Sequence, residues 1–404
     1  MKSIAGGVCA AKGWKAGGIR CGIRKNRTKK DLAFILSDVP ASAAAVYTTN
    51  LVKGAPCDVT KAHLANGMAQ GVMCNSGNAN TCNANGIEIA EQMCSLASKT
   101  FGVDAQDILV ASTGVIGEPL NIDPIAGAMD ELATAISYEG GDSAAEAIMT
   151  TDTKSKQVAV EFEIGGKTCR LGGMAKGSGM IHPNMATMLV FITSDVDISP
   201  ELLQKAISTD VTDTFNMLSV DGDTSTNDMC VVMANGLAGN KKIVEEDEDY
   251  AIFMKALNSL NVKLSRMIVG DGEGATKLLE CVVSGAKDRD TARTVARGVI
   301  CSALVKTAMF GADANWGRIL CAIGYSGADV DVSKIDLALS SCKGTVELCK
   351  NGAGIPFSEE KAKEILLEEE IDILIELNDG DVKATAWGCD LTYDYVKING
   401  DYRT

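Results

Sequence analysis

Thr187 occupies a position where a hydroxyl group could act as a nucleophile. It follows a glycine-rich segment, residues 172–186, and precedes an apolar run, residues 188–192, which is typical of a buried strand. A threonine hydroxyl is a weak nucleophile until a base removes its proton. The chain has only two histidines, His63 and His182, so few residues could complete a triad of the Ser/Thr-His-Asp type. The local sequence alone favours an ordinary strand threonine.

Cleavage of the chain immediately before Thr187 would provide the missing base. A free α-amino group has a pKa of roughly 7.7–8.0, so part of it is deprotonated at neutral pH. Such a group is suited to general-base catalysis. The glycines ahead of Thr187 predict a flexible loop in which the backbone could bend for the cut.

Two further segments could contribute to catalysis or binding. Thr113 and Gly114 follow a predicted strand, residues 107–111, and place a hydroxyl group and an unhindered backbone N–H at its tip. An oxyanion hole needs such donors, although many strand-to-helix turns have the same composition. Glu273 lies among alternating glycines, where an acidic residue would suit an amine-bearing substrate. That segment lacks the order G-K-[ST], so it is not a phosphate-binding P-loop.

Residues 176–189, KGSGMIHPNMATML, resemble the signature of the ornithine acetyltransferase family, also called the glutamate N-acetyltransferases, of arginine biosynthesis. Segments similar to the family extend from the region of Thr49 to the C-terminus. The resemblance implies that the chain cleaves itself between Ala186 and Thr187. The freed Thr187 would then be an N-terminal nucleophile that accepts an acetyl group from N-acetylornithine and passes it to glutamate.

The resemblance also implies the residues of the active site. Thr113 and Gly114 would form the oxyanion hole. The residues implied to bind substrate are Thr150, Lys176, Thr187, Glu273, Asn399 and Thr404. Which threonine of the sequence TTDT, residues 150–153, contacts the substrate is left open. Neither a metal nor a cofactor is expected, although acetyl-CoA could be a second acetyl donor and make the enzyme bifunctional.

The composition argues against some classes of binding partner and indicates a cellular compartment. The 404-residue chain has a net charge of −15, which argues against nucleic acids and anionic membranes as partners. Its 14 cysteines include no C-x-x-C pair, so a zinc or iron–sulfur site is not expected. The N-terminus does not have the apolar region of a signal peptide, and no run is long enough to cross a membrane. These features predict a reducing, cytoplasmic location.

The fold expected from the resemblance is α/β, an αββα sandwich with a second, smaller α/β domain. The expected division places the main domain in residues 1–280 and the smaller domain in residues 281–404, with the C-terminal tail returning to the active site. The cleaved chains would assemble as an α2β2 heterotetramer, with two copies of each.

Hydrophobic periodicity predicts several local elements. Residues 32–36 and 43–47 are predicted as two paired strands, and residues 290–309 as one helix with an apolar face. Residues 371–377 and 383–388 alternate around an Asn-Asp-Gly-Asp turn, which predicts a hairpin.

Two other functions remain open at this stage. The first is a self-processing aminopeptidase or amidase of similar fold, in which water accepts the acyl group. The second is a non-enzymatic binding protein in which the bond before Thr187 stays intact.

Overall fold

The structure, a computed structural model, describes residues 1–24, 28–182 and 188–400. In these ranges the helices are α1 (Ala55–His63), α2 (Gly86–Phe101), α3 (Asp123–Gly127), α4 (Met129–Ala135), α5 (Gly141–Ala147), α6 (Pro200–Asp210), α7 (Glu248–Gly270), α8 (Arg289–Cys301), α9 (Ala303–Phe310), α10 (Trp316–Tyr325), α11 (Glu359–Leu366) and α12 (Tyr393–Gly400). The strands are β1 (Lys2–Ile4), β2 (Trp14–Ile19), β3 (Leu32–Tyr47), β4 (Met68–Asn75), β5 (Ile108–Ser112), β6 (Lys156–Ile164), β7 (Lys167–Lys176), β8 (Leu189–Ser194), β9 (Leu218–Ser219), β10 (Met229–Ala234), β11 (Leu278–Ala286), β12 (Asp336–Ser341), β13 (Gly344–Lys350), β14 (Ala353–Gly354), β15 (Glu370–Glu376) and β16 (Val382–Cys389).

The 16-residue strand β3 connects two layers of sheet. Its first half pairs with β2 and β4, and its second half pairs with β10. The register against β4 shifts between Leu36 and Ala41, so the strand has a bulge where it passes from one layer to the other. The prediction of two strands paired with each other is therefore wrong, because both apolar runs belong to one long strand.

The two layers pack face to face through side chains that alternate along each strand. In β3, Ala33 and Ile35 point into the space between the layers, whereas Leu32 and Phe34 point outwards. Phe191 of β8 enters the same space from the opposite layer. This inner core is rich in Ala, Val, Leu and Met, so the layers are held together with few aromatic rings.

Helices cover the outer face of each layer. The buried side chains of α2 and α4 pack on the outer face of the layer formed by β2, β4, β5 and the first half of β3. Helices α6 and α7 cover the other layer, formed by β10, β8, β7, β6, β1 and the second half of β3. The predicted αββα sandwich is confirmed.

A second sheet contains seven strands in the order β14-β13-β12-β15-β11-β16-β9. Strand β11 lies between β15 and β16, parallel to the first and antiparallel to the second. The predicted hairpin of residues 371–388 is therefore wrong, since an earlier strand with buried, apolar side chains takes the central place between its two arms. The expected domain division at residue 280 falls inside β11, and it stays a prediction.

The helix predicted for residues 290–309 is interrupted at Ser302. Its backbone is extended there, and its hydroxyl accepts a hydrogen bond from the N–H of Val305, which makes Ser302 the N-cap of α9. The apolar spacing continues through the break, which explains why periodicity alone predicts one helix.

Helix α7 connects the sandwich with the second sheet. It begins at an N-cap, Asp247, whose carboxylate accepts from the N–H of Tyr250, and it packs against β6 and β7 on one side and β16 on the other. Its C-terminus leads directly to Asp271 and Glu273. The helix therefore carries two acidic side chains to the junction of the two sheets.

Candidate active site

A cavity of about 640 Å³ lies at the C-terminal end of β5. Its lining includes six of the residues that the sequence implicates: Thr113, Gly114, Thr150, Lys176, Glu273 and Asn399. Thr151 lines it as well, whereas the hydroxyl of Thr153 donates to the carboxylate of Asp271. Ala186, Thr187 and Thr404 lie outside the described residues, and their predicted roles stay predictions.

Thr113 and Gly114 present two hydrogen-bond donors to this cavity. The backbone N–H of Thr113 donates to the carbonyl of Asn75 at 3.0 Å, which leaves the hydroxyl as its available donor. Among the described residues, neither this hydroxyl nor the N–H of Gly114 has a hydrogen-bond partner. Gly114 has a φ of +131°, and a Cβ atom there would lie 2.7 Å from the carbonyl carbon of Gly77. Glycine is thus the residue that permits this turn.

The segment that leads towards Thr187 is anchored by hydrogen bonds as far as His182. The carboxylate of Asp152 accepts from the N–H of Gly177 at 2.7 Å, and that of Asp221 accepts from the N–H groups of Met180 and Ile181 at 2.6 and 2.9 Å. The glycines predict a flexible loop, but residues 177–182 have a fixed conformation. Carboxylates that accept from backbone N–H groups hold it, and local sequence gives no sign of them.

Lys156 lies between two carboxylates beneath the cavity. Its buried ammonium group contacts Asp152 at 2.7 Å and Asp271 at 2.5 Å. Burial alone would raise the pKa of Asp152, but the nearby charges of Lys176 and Lys156 hold this pKa well below its usual range. Asp152 therefore stays ionised, and its second oxygen accepts from the N–H of Thr150 at 3.0 Å.

Asp271 connects the same cluster to Glu273. Its backbone carbonyl accepts from the hydroxyl of Ser178 at 2.7 Å, and the carbonyl of Ser178 accepts from the N–H of Glu273 at 3.0 Å. The cluster of Lys156, Asp152 and Asp271 thus fixes three segments that line the cavity, which contain Thr150, Lys176 and Glu273.

The cavity presents opposite charges on its wall. Lys176 is a largely buried cation, and its ammonium group has no hydrogen-bond partner among the described residues. Glu273 is similarly buried, and its carboxylate accepts from the side-chain amide of Asn399 at 2.7 Å. The carboxylate lies directly against Gly179, where a Cβ atom would collide with it. An amino acid that carries both a carboxylate and an amine matches this pair of charges.

Helix α12 brings Asn399 to the cavity. The chain ahead of it is fixed by Asp390, whose carboxylate accepts from the N–H groups of Thr276 and Lys277, and by Thr392, whose hydroxyl donates to the carbonyl of Gly274 at 2.7 Å. The C-terminal region therefore returns to the site as far as residue 400.

The histidines lie apart from this set of donors. His63 is buried and its Nδ1 contacts the carbonyl of Ile108. His182 contacts Ser219 and Arg297, and burial followed by the charge of Arg297 lowers its pKa. Within the described ranges, no group of three or more His, Cys, Asp and Glu side chains is arranged to hold a metal ion.

Sequence reasoning missed Lys156 and the lining residues Glu118 and 225–227. Lys156 begins a strand of alternating residues and has the appearance of a surface lysine. Residues 220–228 form a polar segment before a buried strand. Their spacing does not fit a calcium loop, and although the segment is similar to the family, it does not indicate which of its residues line a site.

Comparison with known proteins identifies the family of this chain. The ArgJ family model matches residues 15–404. The chain belongs to the ArgJ family. It is 50% identical to the arginine biosynthesis bifunctional protein ArgJ of Caldanaerobacter subterraneus subsp. tengcongensis over the full length of both chains. It is 49% identical to ArgJ 1 of Clostridium acetobutylicum, over 97% of this chain and 96% of that protein.

A solved structure of an ArgJ protein from Bacillus halodurans is also similar. That chain has 48% sequence identity and a TM-score of 0.50, and the match covers 52% of this chain and 98% of the solved chain. The family predicted from residues 176–189 is confirmed by these comparisons.

The Lys156 cluster gives a prediction about stability. Replacement by methionine (K156M) leaves two buried carboxylates without their cation, and breaking a buried ion pair in this way costs about 3–5 kcal/mol. We expect the free energy of unfolding, measured by urea denaturation, to fall by that amount. The matched control is K205M, which removes a half-exposed lysine that pairs with Glu246 at the surface and should change stability little. Equal stability of the two variants would contradict the structural role of Lys156.

Proposed function

We propose that this chain transfers an acetyl group from N-acetylornithine to glutamate through an acetyl-enzyme intermediate on Thr187. As a member of the ArgJ family, it is an acyltransferase of arginine biosynthesis. The observation that carries the proposal is the convergence on one cavity of two oxyanion donors, a buried cation and a buried carboxylate. Lys176 would bind the α-carboxylate shared by both amino acids, and Glu273 would bind the side-chain amine of ornithine.

The reaction follows from these groups. The hydroxyl of Thr187 attacks the acetyl carbonyl carbon, and its proton moves to the α-amino group of the same residue. Thr113 and Gly114 donate hydrogen bonds to the oxygen that becomes negative. When the C–N bond breaks, the proton passes to the nitrogen of the departing ornithine. Glutamate then attacks the acetyl ester by the same steps in reverse.

The length of the solved relative supports cleavage before Thr187. Nearly all of the solved Bacillus halodurans chain corresponds to only about half of this chain. The curated relatives, in contrast, match it from end to end. A product cut between Ala186 and Thr187 would have chains of about that length.

The proposal extends to donor, assembly and location. The relatives that share 45–50% of the sequence are named bifunctional, which supports acetyl-CoA as a second donor for glutamate. The two cleaved chains would assemble as an α2β2 heterotetramer in the cytoplasm. No helix in the described part of the chain is long and apolar enough to cross a membrane.

Steady-state kinetics test the covalent intermediate. If one hydroxyl carries the acetyl group, ornithine must leave before glutamate reacts, which is a ping-pong mechanism. Varying N-acetylornithine at several fixed concentrations of glutamate should give parallel double-reciprocal lines. Intersecting lines would indicate direct transfer in a ternary complex.

The oxyanion hole gives a second prediction. Removing one such donor typically reduces turnover by about 10²–10³, so T113A should lower kcat to that extent while the protein remains folded. The control is T168A, which removes an exposed hydroxyl on β7 away from the cavity. Unchanged kcat in T113A would exclude Thr113 from the mechanism.

A further inference from the structure

A second, much smaller cavity adjoins the oxyanion donors. It has a volume of about 20 Å³, and its lining includes Thr113, Lys176 and Met188, the residue that follows Thr187 in sequence. A polar cavity of about 10–15 Å³ is sufficient for one water molecule. The remaining polar residues of its lining are Ser225, Asn227 and Asp228. The cavity therefore has the size and the polar groups for a single bound water.

One lining residue, Asp228, has a buried carboxyl oxygen without a hydrogen-bond partner in the part of the chain that the structure describes. It is 2% exposed, and its Oδ2 atom has no hydrogen-bond partner among the described residues. A buried polar atom without a partner costs about 1–3 kcal/mol, so a partner is expected in the cavity. The backbone of Asp228 is fixed, since its carbonyl accepts from the N–H of Thr48 and the next residue, Met229, donates to the carbonyl of Met188.

The neighbouring side chains of Asn227 and Ser225 are less suited to move a proton. The hydrogen-bonding groups of the Asn227 side chain are occupied. Its amide nitrogen donates to the carbonyls of Ala79 and Ser112, and its oxygen accepts from the hydroxyl of Thr81. The hydroxyl of Ser225 accepts from the N–H of Asn227. Neither an amide nor a serine hydroxyl changes its protonation state in this pH range.

Burial raises the pKa of Asp228 well above its ordinary range, although Ser225 and the charge of Lys176 oppose the shift. The carboxyl group therefore binds a proton more readily than an exposed aspartate does, and its two oxygens can accept and donate a proton. A group of this kind can take up one proton and release another in a single step.

We propose that the small cavity holds the water molecule that completes self-cleavage, and that Asp228 relays the proton of this water. The inference rests on the proposed function, because it assigns a role within the cut before Thr187. Cleavage needs one water: the hydroxyl of Thr187 first displaces the nitrogen at the carbonyl of Ala186, which gives an ester and a free amine. The hydroxyl proton ends on that amine.

Asp228 acts in the second step. The water oxygen forms a bond to the ester carbonyl carbon, and the bond from that carbon to Thr187 Oγ breaks. The water gives a proton to Oδ2 of Asp228, and the carboxyl group gives a proton to Thr187 Oγ. The products are the carboxyl group of Ala186 and the free hydroxyl of Thr187, and Asp228 returns to its initial protonation state.

The test is the rate of maturation of the full chain in D228N. Asparagine has nearly the same shape as aspartate, but it cannot relay a proton. Loss of an acid–base group typically costs about 10²–10⁴ in rate, so fragments 1–186 and 187–404 should form at least ~100-fold more slowly on denaturing gels and by intact mass. The control is D223N, a change at an exposed position of the same loop.

Hydroxylamine distinguishes hydrolysis of the ester from the preceding attack of the Thr187 hydroxyl. It attacks the ester without help from a base, so it should release both fragments from folded D228N, with a hydroxamate at Ala186. D228N that matures at the wild-type rate, or that hydroxylamine does not cut, would overturn the inference. A wild-type chain that stays whole would overturn the proposed function as well.

A structural measurement does not depend on the folding of D228N. In a high-resolution crystal structure of the uncut T187A chain, we expect one water within hydrogen-bond distance of Asp228 Oδ2. A cavity without this water would overturn the inference and leave the proposed transfer reaction intact.

Discussion

The geometry of the site depends on one buried ammonium group between two carboxylates. Lys156 neutralises Asp152 and Asp271, and each carboxylate is then free to accept hydrogen bonds from the backbone of a different segment. These segments come from the end of β7, from the turn before β6 and from the C-terminus of α7. Since they are far apart in sequence, their relative positions would otherwise depend only on non-directional packing. The ion cluster fixes the relative positions of these three segments.

Two strands of the sandwich end at the cavity and place further residues of the site there. Strand β5 ends immediately before Thr113 and Gly114, and β7 ends at Lys176, so the hydrogen-bond donors of Thr113 and Gly114 and the cation come from opposite layers. The inner faces of the two layers carry mostly small and medium apolar side chains. The segment that follows α7 and helix α12 complete the lining of the cavity, where the side chains of Glu273 and Asn399 meet.

The sequence was most informative where function requires particular residue types in adjacent positions. The run 176–189 indicated the family directly, and both the interpretation of the Thr113-Gly114 pair and the αββα arrangement followed from that resemblance. Pairing over long distances could not be predicted: β3 has the alternation of two short strands, and β11 lies between two strands that form an apparent hairpin. Lys156 could not be identified either, because its role depends on Asp271, 115 residues away. A lysine acquires such a role only when the fold surrounds it with carboxylates.

The central claim is that Thr187 carries the acetyl group. The most direct measurement is the intact mass of both fragments after the enzyme is mixed with N-acetylornithine alone and freed of ornithine. The account predicts one acetyl group on the fragment that begins with Thr187, and its loss when glutamate is added. An unmodified fragment from an enzyme that is active under the same conditions, or an acetyl group on fragment 1–186, would contradict it.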